Sequence, residues 1–206
     1  MPLLDREDEE RGMHLEHAIL GFLNYGPWTG YELKRVFDQS IRHFWPADQS
    51  QIYKTLLKLS RKGLASVKVV HEDDRPSRKI YSITDAGRDE LMGWVGRPPE
   101  PEVFREPFLI QVFFAGLLSD EDAISVLEAK HEELAAIRDQ LMVPRDHKPD
   151  GDAEAVSQRE QFYRLLTLEQ GLWSVQTALD WIDNTIDRIR RGESAHGPAV
   201  LPPPVR

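Results

Sequence analysis

Asp48-Gln49-Ser50-Gln51-Ile52-Tyr53-Lys54-Thr55-Leu56-Leu57-Lys58-Leu59-Ser60-Arg61-Lys62-Gly63 reads as one helix with both ends marked. Asp48 is a favourable N-cap, and Gln51, three residues on, completes a capping box. Pro46 biases Trp45 away from helical backbone and so sharpens the start. Arg61 and Lys62 occupy the last turn, and Gly63 supplies a left-handed stop. Ile52, Leu56 and Leu59 recur on one face at helical spacing. The other face carries Gln49, Ser50, Tyr53, Lys54 and Lys58. Such a face suits a helix laid in a DNA major groove, where Gln and Ser reach base edges and Lys and Tyr hold phosphates. A plain surface helix is polar on its outside too, so the neighbouring segments decide between the two.

Upstream, Leu15, Ala18, Ile19, Phe22 and Leu23 form one stripe of a helix from His14 to Tyr25, ended by Gly26-Pro27. Thr29 and Glu32 make a second capping box. Tyr31, Leu33, Val36, Phe37 and Ile41 continue that helix, and Phe44-Trp45-Pro46-Ala47 turns into the one quoted above. The last two helices form a helix-turn-helix unit.

Downstream of Gly63 the period changes from helical to two. Ala65, Val67 and Val69 alternate with Ser66, Lys68 and Val70 as a strand. Glu72 to Ser77 is rich in turn residues, and Arg78 to Ile83 returns as a second strand. Three helices followed by a β-hairpin make a winged helix. Its tip brings the cations Arg75, Arg78 and Lys79 to DNA, while Glu72, Asp73 and Asp74 oppose phosphate. Thr84-Asp85-Ala86-Gly87 opens another helix to about Val95.

Gly96-Arg97-Pro98-Pro99-Glu100-Pro101 is a stiff linker, and the chain beyond it is helical. Phe108 to Leu118 is short and apolar. Ser119 with Asp122 caps a helix in which Ala123, Leu127, Lys130, Leu134, Ile137 and Leu141 step by four and three. Val143 to Ala155 is a polar loop. From Ser157 to Arg191 a long helix repeats Leu165, Leu168, Leu172, Val175, Leu179, Ile182, Ile186 and Ile189 as a coiled-coil seam. Phe162, Leu166, Trp173 and Trp181 add a second stripe. Two apolar stripes ask for more cover than one helix supplies, so the seam predicts a dimer interface; the alternative is packing on the Ser119 helix of the same chain.

The expected fold is mainly α with a small β-hairpin wing: an N-terminal winged helix-turn-helix and a C-terminal α-helical dimerisation domain. The expected divisions are a disordered N-terminus at 1–12, a DNA-binding domain at 13–96, a linker at 97–106, a helical dimerisation and effector domain at 107–191 and a disordered tail at 192–206.

Charge supports this division. The chain has 26 Lys and Arg against 35 Asp and Glu, a net −9. Between Trp28 and Thr84 stand eleven basic and six acidic residues, a net +5, leaving 15 basic and 29 acidic elsewhere, a net −14. A basic segment on an acidic remainder is the footprint of a polyanion-binding module. No apolar run approaches the ~20 residues of a membrane span. The acidic start lacks signal-peptide order. With no cysteine, disulfides and thiol chemistry are excluded, and a cytoplasmic protein is expected.

Taken together, the motifs resemble the PadR family of bacterial transcriptional regulators. The resemblance is carried by Ala18-Ile19-Leu20-Gly21-Phe22-Leu23 with Gly26-Pro27, by Thr29-Gly30-Tyr31-Glu32-Leu33, by Ser50 to Leu59 with Gly63-Leu64, and by Arg75-Pro76-Ser77-Arg78-Lys79-Ile80-Tyr81-Ser82-Ile83-Thr84-Asp85-Ala86-Gly87. It is close from Leu15 to Trp94, and the helical second half is similar in layout to members with a large C-terminal domain. The resemblance implies a homodimer on a partly palindromic operator, usually a repressor, and in several members release from DNA by an aromatic or drug-like ligand. The expected DNA-binding residues are Thr29, Tyr31, Lys34, Gln49, Ser50, Gln51, Tyr53, Lys54, Lys58, Arg75, Ser77, Arg78 and Lys79.

Trp94, Phe113, Phe162, Trp173 and Trp181 have the flat rings to line an effector site; each is equally at home in a core. His14 and His17 stand at metal-binding spacing, but no further ligand completes a site. No Gly-rich phosphate loop or nucleophile elbow is present, so neither a cofactor nor catalysis is expected. A winged-helix module that binds protein instead of DNA remains the alternative.

Overall fold

The computed structural model describes residues 3–72, 75–99, 105–143 and 157–195. They form α1 (Leu3–Leu23), β1 (Trp28–Thr29), α2 (Gly30–Ser40), α3 (Gln49–Arg61), β2 (Ala65–Glu72), β3 (Arg75–Ile83), α4 (Asp85–Val95), α5 (Pro107–Phe114), α6 (Asp120–Met142) and α7 (Gln158–Arg190). Two compact units result: Met1–Glu100 with Arg145–Phe162, and Pro101–Pro144 with Tyr163–Arg206.

In the first unit, α1, α2 and α3 enclose a core of Leu15, Ile19, Leu20, Leu23, Leu33, Phe37, Ile52, Leu56 and Leu59. Each such side chain contributes about 1.5–3 kcal/mol on burial. The sheet closes the core with Trp28, Ala65, Tyr81 and Ile83, and α4 adds Leu91. The first turn of α4 approaches the start of β2 so closely that a β-carbon on Gly87 would lie 2.1 Å from the Leu64 carbonyl oxygen.

Several sequence expectations need correction here. The region 1–12 was expected to be disordered, yet α1 already begins at Leu3. Glu7 to Glu10 are good helix formers, and acidic groups near a helix N-terminus are favoured by its dipole. The wing is not a lone hairpin: Trp28 and Thr29 pair with Tyr81 and Ile80, giving a three-stranded sheet in the order β1-β3-β2. The expected tip residues Arg75 to Ser77 belong to β3, and the ladder shifts register between Val70 and Glu72. The short apolar helix stops at Phe114 and tightens into a 3₁₀ turn over Ala115–Leu117. The tail expected to be disordered from 192 holds a second 3₁₀ turn at Glu193–Ala195, and residues 196–206 lie outside those described.

In the second unit, Leu127 of α6 and Ile182 and Ile186 of α7 are buried together, with Phe108, Val112, Ile124, Leu134 and Ile189 packed around them. The expected coiled-coil seam is therefore divided. Its C-terminal half, with Leu179 also buried, is covered within one chain. Its N-terminal half is less covered: Leu165 is 55% exposed, and Leu168, Leu172 and Val175 are half-buried.

Candidate nucleic-acid interface

The exposed face of α3 is set by local rules. The Asp48 carboxylate accepts from Gln51 N at 2.8 Å, and Asp48 N donates to Gln51 Oε1 at 2.8 Å. The Gln51 backbone bond holds the Asp48 carboxyl below its ordinary pKa. At the other end Gly63 has φ +72. Gly63 N donates to Ser60 O and Leu64 N to Leu59 O, at 3.1 and 3.0 Å, which is a Schellman stop. Between these ends Ile52, Thr55, Leu56 and Leu59 face the core.

Opposite them, Ser50, Tyr53, Lys54, Leu57 and Arg61 are exposed at helical spacing. Leu57 and Arg61 were not among the expected contacts. The periodicity that located the buried face would have located them half a turn away. Gln49 is exposed beside the cap. Gln51 has committed its carbonyl oxygen to the cap, leaving its amide as a donor. The Tyr53 ring rests on Gly30, whose added β-carbon would stand 2.5 Å from the ring.

Thr29, expected at the DNA, works as the N-cap of α2. Its hydroxyl donates to Glu32 Oε2 at 2.8 Å and accepts from Glu32 N at 3.3 Å. Tyr31 in the same turn is exposed. Lys34 is ion-paired with Asp38 one turn on. Lys58 is turned to the flank of α3, its Nζ 2.5 Å from Glu16 Oε1 on α1. Lys62 Nζ donates to Glu16 Oε2 at 2.6 Å. This pairing joins residues 46 positions apart, and sequence periodicity contains no signal of it.

On the hairpin, Val69 pairs with Lys79 and Val70 with Arg78. Adjacent strand residues point to opposite faces, so Lys79 continues the face of Tyr81 and Ile83 while Arg78 shares the other with Lys68. Both are exposed, and Ser77 Oγ bonds His71 Nδ1 at 2.8 Å. The Arg75 side chain is outside those described.

The aromatic candidates do not share one environment. Trp94 packs on the core of the first unit and stacks on His17 at 4.6 Å with planes 4° apart. His17 is buried, with Nε2 2.9 Å from Glu90 Oε1. In the second unit Phe113 and Trp173 are 82% and 70% exposed, and Trp181 meets Phe108 edge-on at 6.4 Å. Phe162 is exposed on the first turns of α7. A cavity of about 460 Å³ between α6 and α7 is lined by Glu128, His131, Glu132, Asp183, Ile186, Asp187 and Arg190, none of them an aromatic candidate.

The chain is similar to known proteins. Residues 19–92 match the transcriptional regulator PadR-like family, and residues 104–190 match the virulence activator alpha C-terminal family. The negative transcriptional regulator PadR of Bacillus subtilis is 28% identical over 184 residues, covering 85% of this chain and 97% of that protein. Its crystal structure in complex with operator DNA superposes with a TM-score of 0.71 at 26% identity, over 85% of this chain and 98% of that one. The same protein in complex with p-coumaric acid gives 0.62 at 28% identity, over 85% and 95%. The Vibrio cholerae virulence activator AphA gives 0.65 at 27% identity, over 86% and 99%.

Proposed function

We propose that this chain, which carries a PadR-like transcriptional-regulator domain over residues 19–92, is a homodimeric, sequence-specific DNA-binding regulator that represses from a palindromic operator. The observation that carries this reading is the exposed stripe of Ser50, Tyr53, Lys54, Leu57 and Arg61 on a doubly capped α3. It stands in a chain that superposes along most of its length on a regulator crystallised with operator DNA. Gln49, Ser50, Tyr53 and the free amide of Gln51 lie nearest the bases or their flanking phosphates. Lys54, Arg61, Tyr31 and the hairpin cations Arg78 and Lys79 hold the backbone.

Dimerisation uses the less covered half of the α7 seam, the exposed Leu165 with the half-buried Leu168, Leu172 and Val175, together with the exposed apolar side chains of α5. A symmetric partner covers both stripes at once and sets the two reading helices about 34 Å apart, one turn of DNA. An aromatic or drug-like effector would act by binding better to a dimer whose helices are wrongly spaced, and its effect on DNA affinity equals that differential binding. The p-coumaric acid complex of the Bacillus relative supports an effector of this class, and the exposed rings of Phe113 and Trp173 are the nearest means of stacking on one.

The test is a gel shift with DNA from upstream of the protein's own gene, with excess random competitor and at two salt concentrations. Specific retardation that weakens as salt rises is expected. Binding of random DNA and operator DNA with equal affinity would defeat the operator reading. Absence of any salt-dependent DNA binding would leave the basic face to a protein partner.

A further inference from the structure

Glu16 lies on α1 with only 4% of its surface exposed. Its two oxygens face two cations at the end of α3: Lys58 Nζ at 2.5 Å and, from the C-cap residue, Lys62 Nζ at 2.6 Å. Lys58 and Lys62 are four residues apart, so they share one helix face, turned toward α1. Both lysines are otherwise about half exposed. Their stems therefore reach along the protein surface and bend inward to the carboxylate.

We infer that Glu16 is a positioning residue that limits sequence-independent DNA affinity: it withholds Lys58 and Lys62 from phosphates and seats the end of α3 against α1. This inference rests on the DNA-binding function proposed above. A buried carboxylate stranded without its cations is costly, so neither lysine leaves for a phosphate without penalty. Burial alone would raise the carboxyl's pKa; the hydrogen bonds and charges of Lys58 and Lys62 outweigh it and keep the group ionised. Phosphate contacts supply sequence-independent affinity and carry no sequence information. Holding two ammonium groups back lowers affinity for every DNA alike and leaves discrimination between sequences to side chains such as Ser50 and Tyr53.

The experiment compares wild type with Glu16→Gln on a random-sequence duplex and on the operator across a salt series. The slope of log K against log salt on random DNA should steepen by between about 1 and 2 units, one step of ~0.9 per phosphate gained. Low-salt affinity for random and operator DNA should rise by similar factors, the operator-to-random ratio staying as in wild type. Adding Lys58→Gln and Lys62→Gln to Glu16→Gln should remove the steepening. Wild type and Glu16→Gln with equal slopes overturn the inference while leaving the DNA-binding function intact. Wild type without salt-dependent DNA binding removes both.

A second measurement serves if Glu16→Gln does not fold. Wild-type protein is treated with acetic anhydride with and without random duplex, and lysine acetylation is read by mass spectrometry. Lys58 and Lys62 should react more slowly than Lys54 in the free protein, and DNA should protect Lys54 but neither of the other two. Protection of Lys58 and Lys62 as strong as that of Lys54 overturns the inference.

Discussion

A β-carbon built on Gly30 stands 2.5 Å from Cε1 of Tyr53, so the outward ring of α3 rests on the first turn of α2 where only hydrogen fits. The contact fixes the direction of a side chain that the proposed function turns toward the bases. Gly30→Ala should push the ring aside. The clashing atoms end a side chain, so the expected stability cost is only about 1 kcal/mol, accompanied by weaker operator binding. In a Tyr53→Ala background the same substitution should cost less, and thermal melts of the four proteins measure that coupling. Additive effects would show that the two residues act independently.

Gly87→Ala meets backbone instead. Its β-carbon would lie 2.1 Å from Leu64 O, which has no side-chain freedom with which to yield. The expected loss is about 3 kcal/mol, at the upper end of overpacking effects. Urea denaturation followed by circular dichroism gives the number, and a midpoint equal to wild type would contradict the close packing of α4 on β2.

Lys54 and Ser50 share the outward stripe but are assigned different work. Lys54→Ala should weaken binding to all sequences and reduce the salt slope by about 1 unit, whereas Ser50→Ala should relax base preference with the slope unchanged. Competition between the operator and single-base variants separates the two. A base preference altered by Lys54→Ala alone would reverse the assignments.

Acid should release the clamp on α3. The carboxyls of Glu16 and Glu90 both titrate below their ordinary value of 4.5 in the folded chain, Glu90 chiefly through its bond from His17. A depressed folded value means that the unfolded chain binds the proton more readily. The stabilisation is therefore full above about 4.5 and is lost as pH falls through the folded value. The difference in denaturation midpoint between wild type and Glu16→Gln should shrink from pH 6 to pH 3. A difference that widened on acidification would give the linkage the wrong sign.

The less covered half of α7 makes a prediction about assembly. Leu165→Glu places a charge on a side chain that is 55% exposed in one chain, so the subunit should keep its helix content. Buried in a dimer, that charge is unpaired and costs several kcal/mol. Sedimentation should then show monomer where wild type is dimer. A stable Leu165→Glu dimer would place the interface elsewhere.

The elements that decide the fold were legible because their causes are local. The α3 helix follows from Asp48, Gln51 and Gly63, all within or beside its own turns, and the observed cap bonds join the residues that spacing named. Thr29 with Glu32, Thr84 with Gly87 and Ser119 with Asp122 are bonds of the same short range. Hairpin, helix order and the exposed face of α3 follow from periods of 3.6 and 2, which a chain carries openly.

Tertiary structure decided what depends on distant partners. A two-residue strand at Trp28 and Thr29 has no period of its own and exists because β3 pairs with it. Lys58 and Lys62 read as free cations until folding brings a buried Glu16 against them. An unbroken heptad seam does not say that Leu179, Ile182 and Ile186 are covered within the chain while Leu165 is left open. Spacing along a helix fixes which side chains share a face, since backbone geometry alone sets it. What that face meets depends on burial and charge contributed by residues far away in the chain, and these are brought together only when the chain has packed.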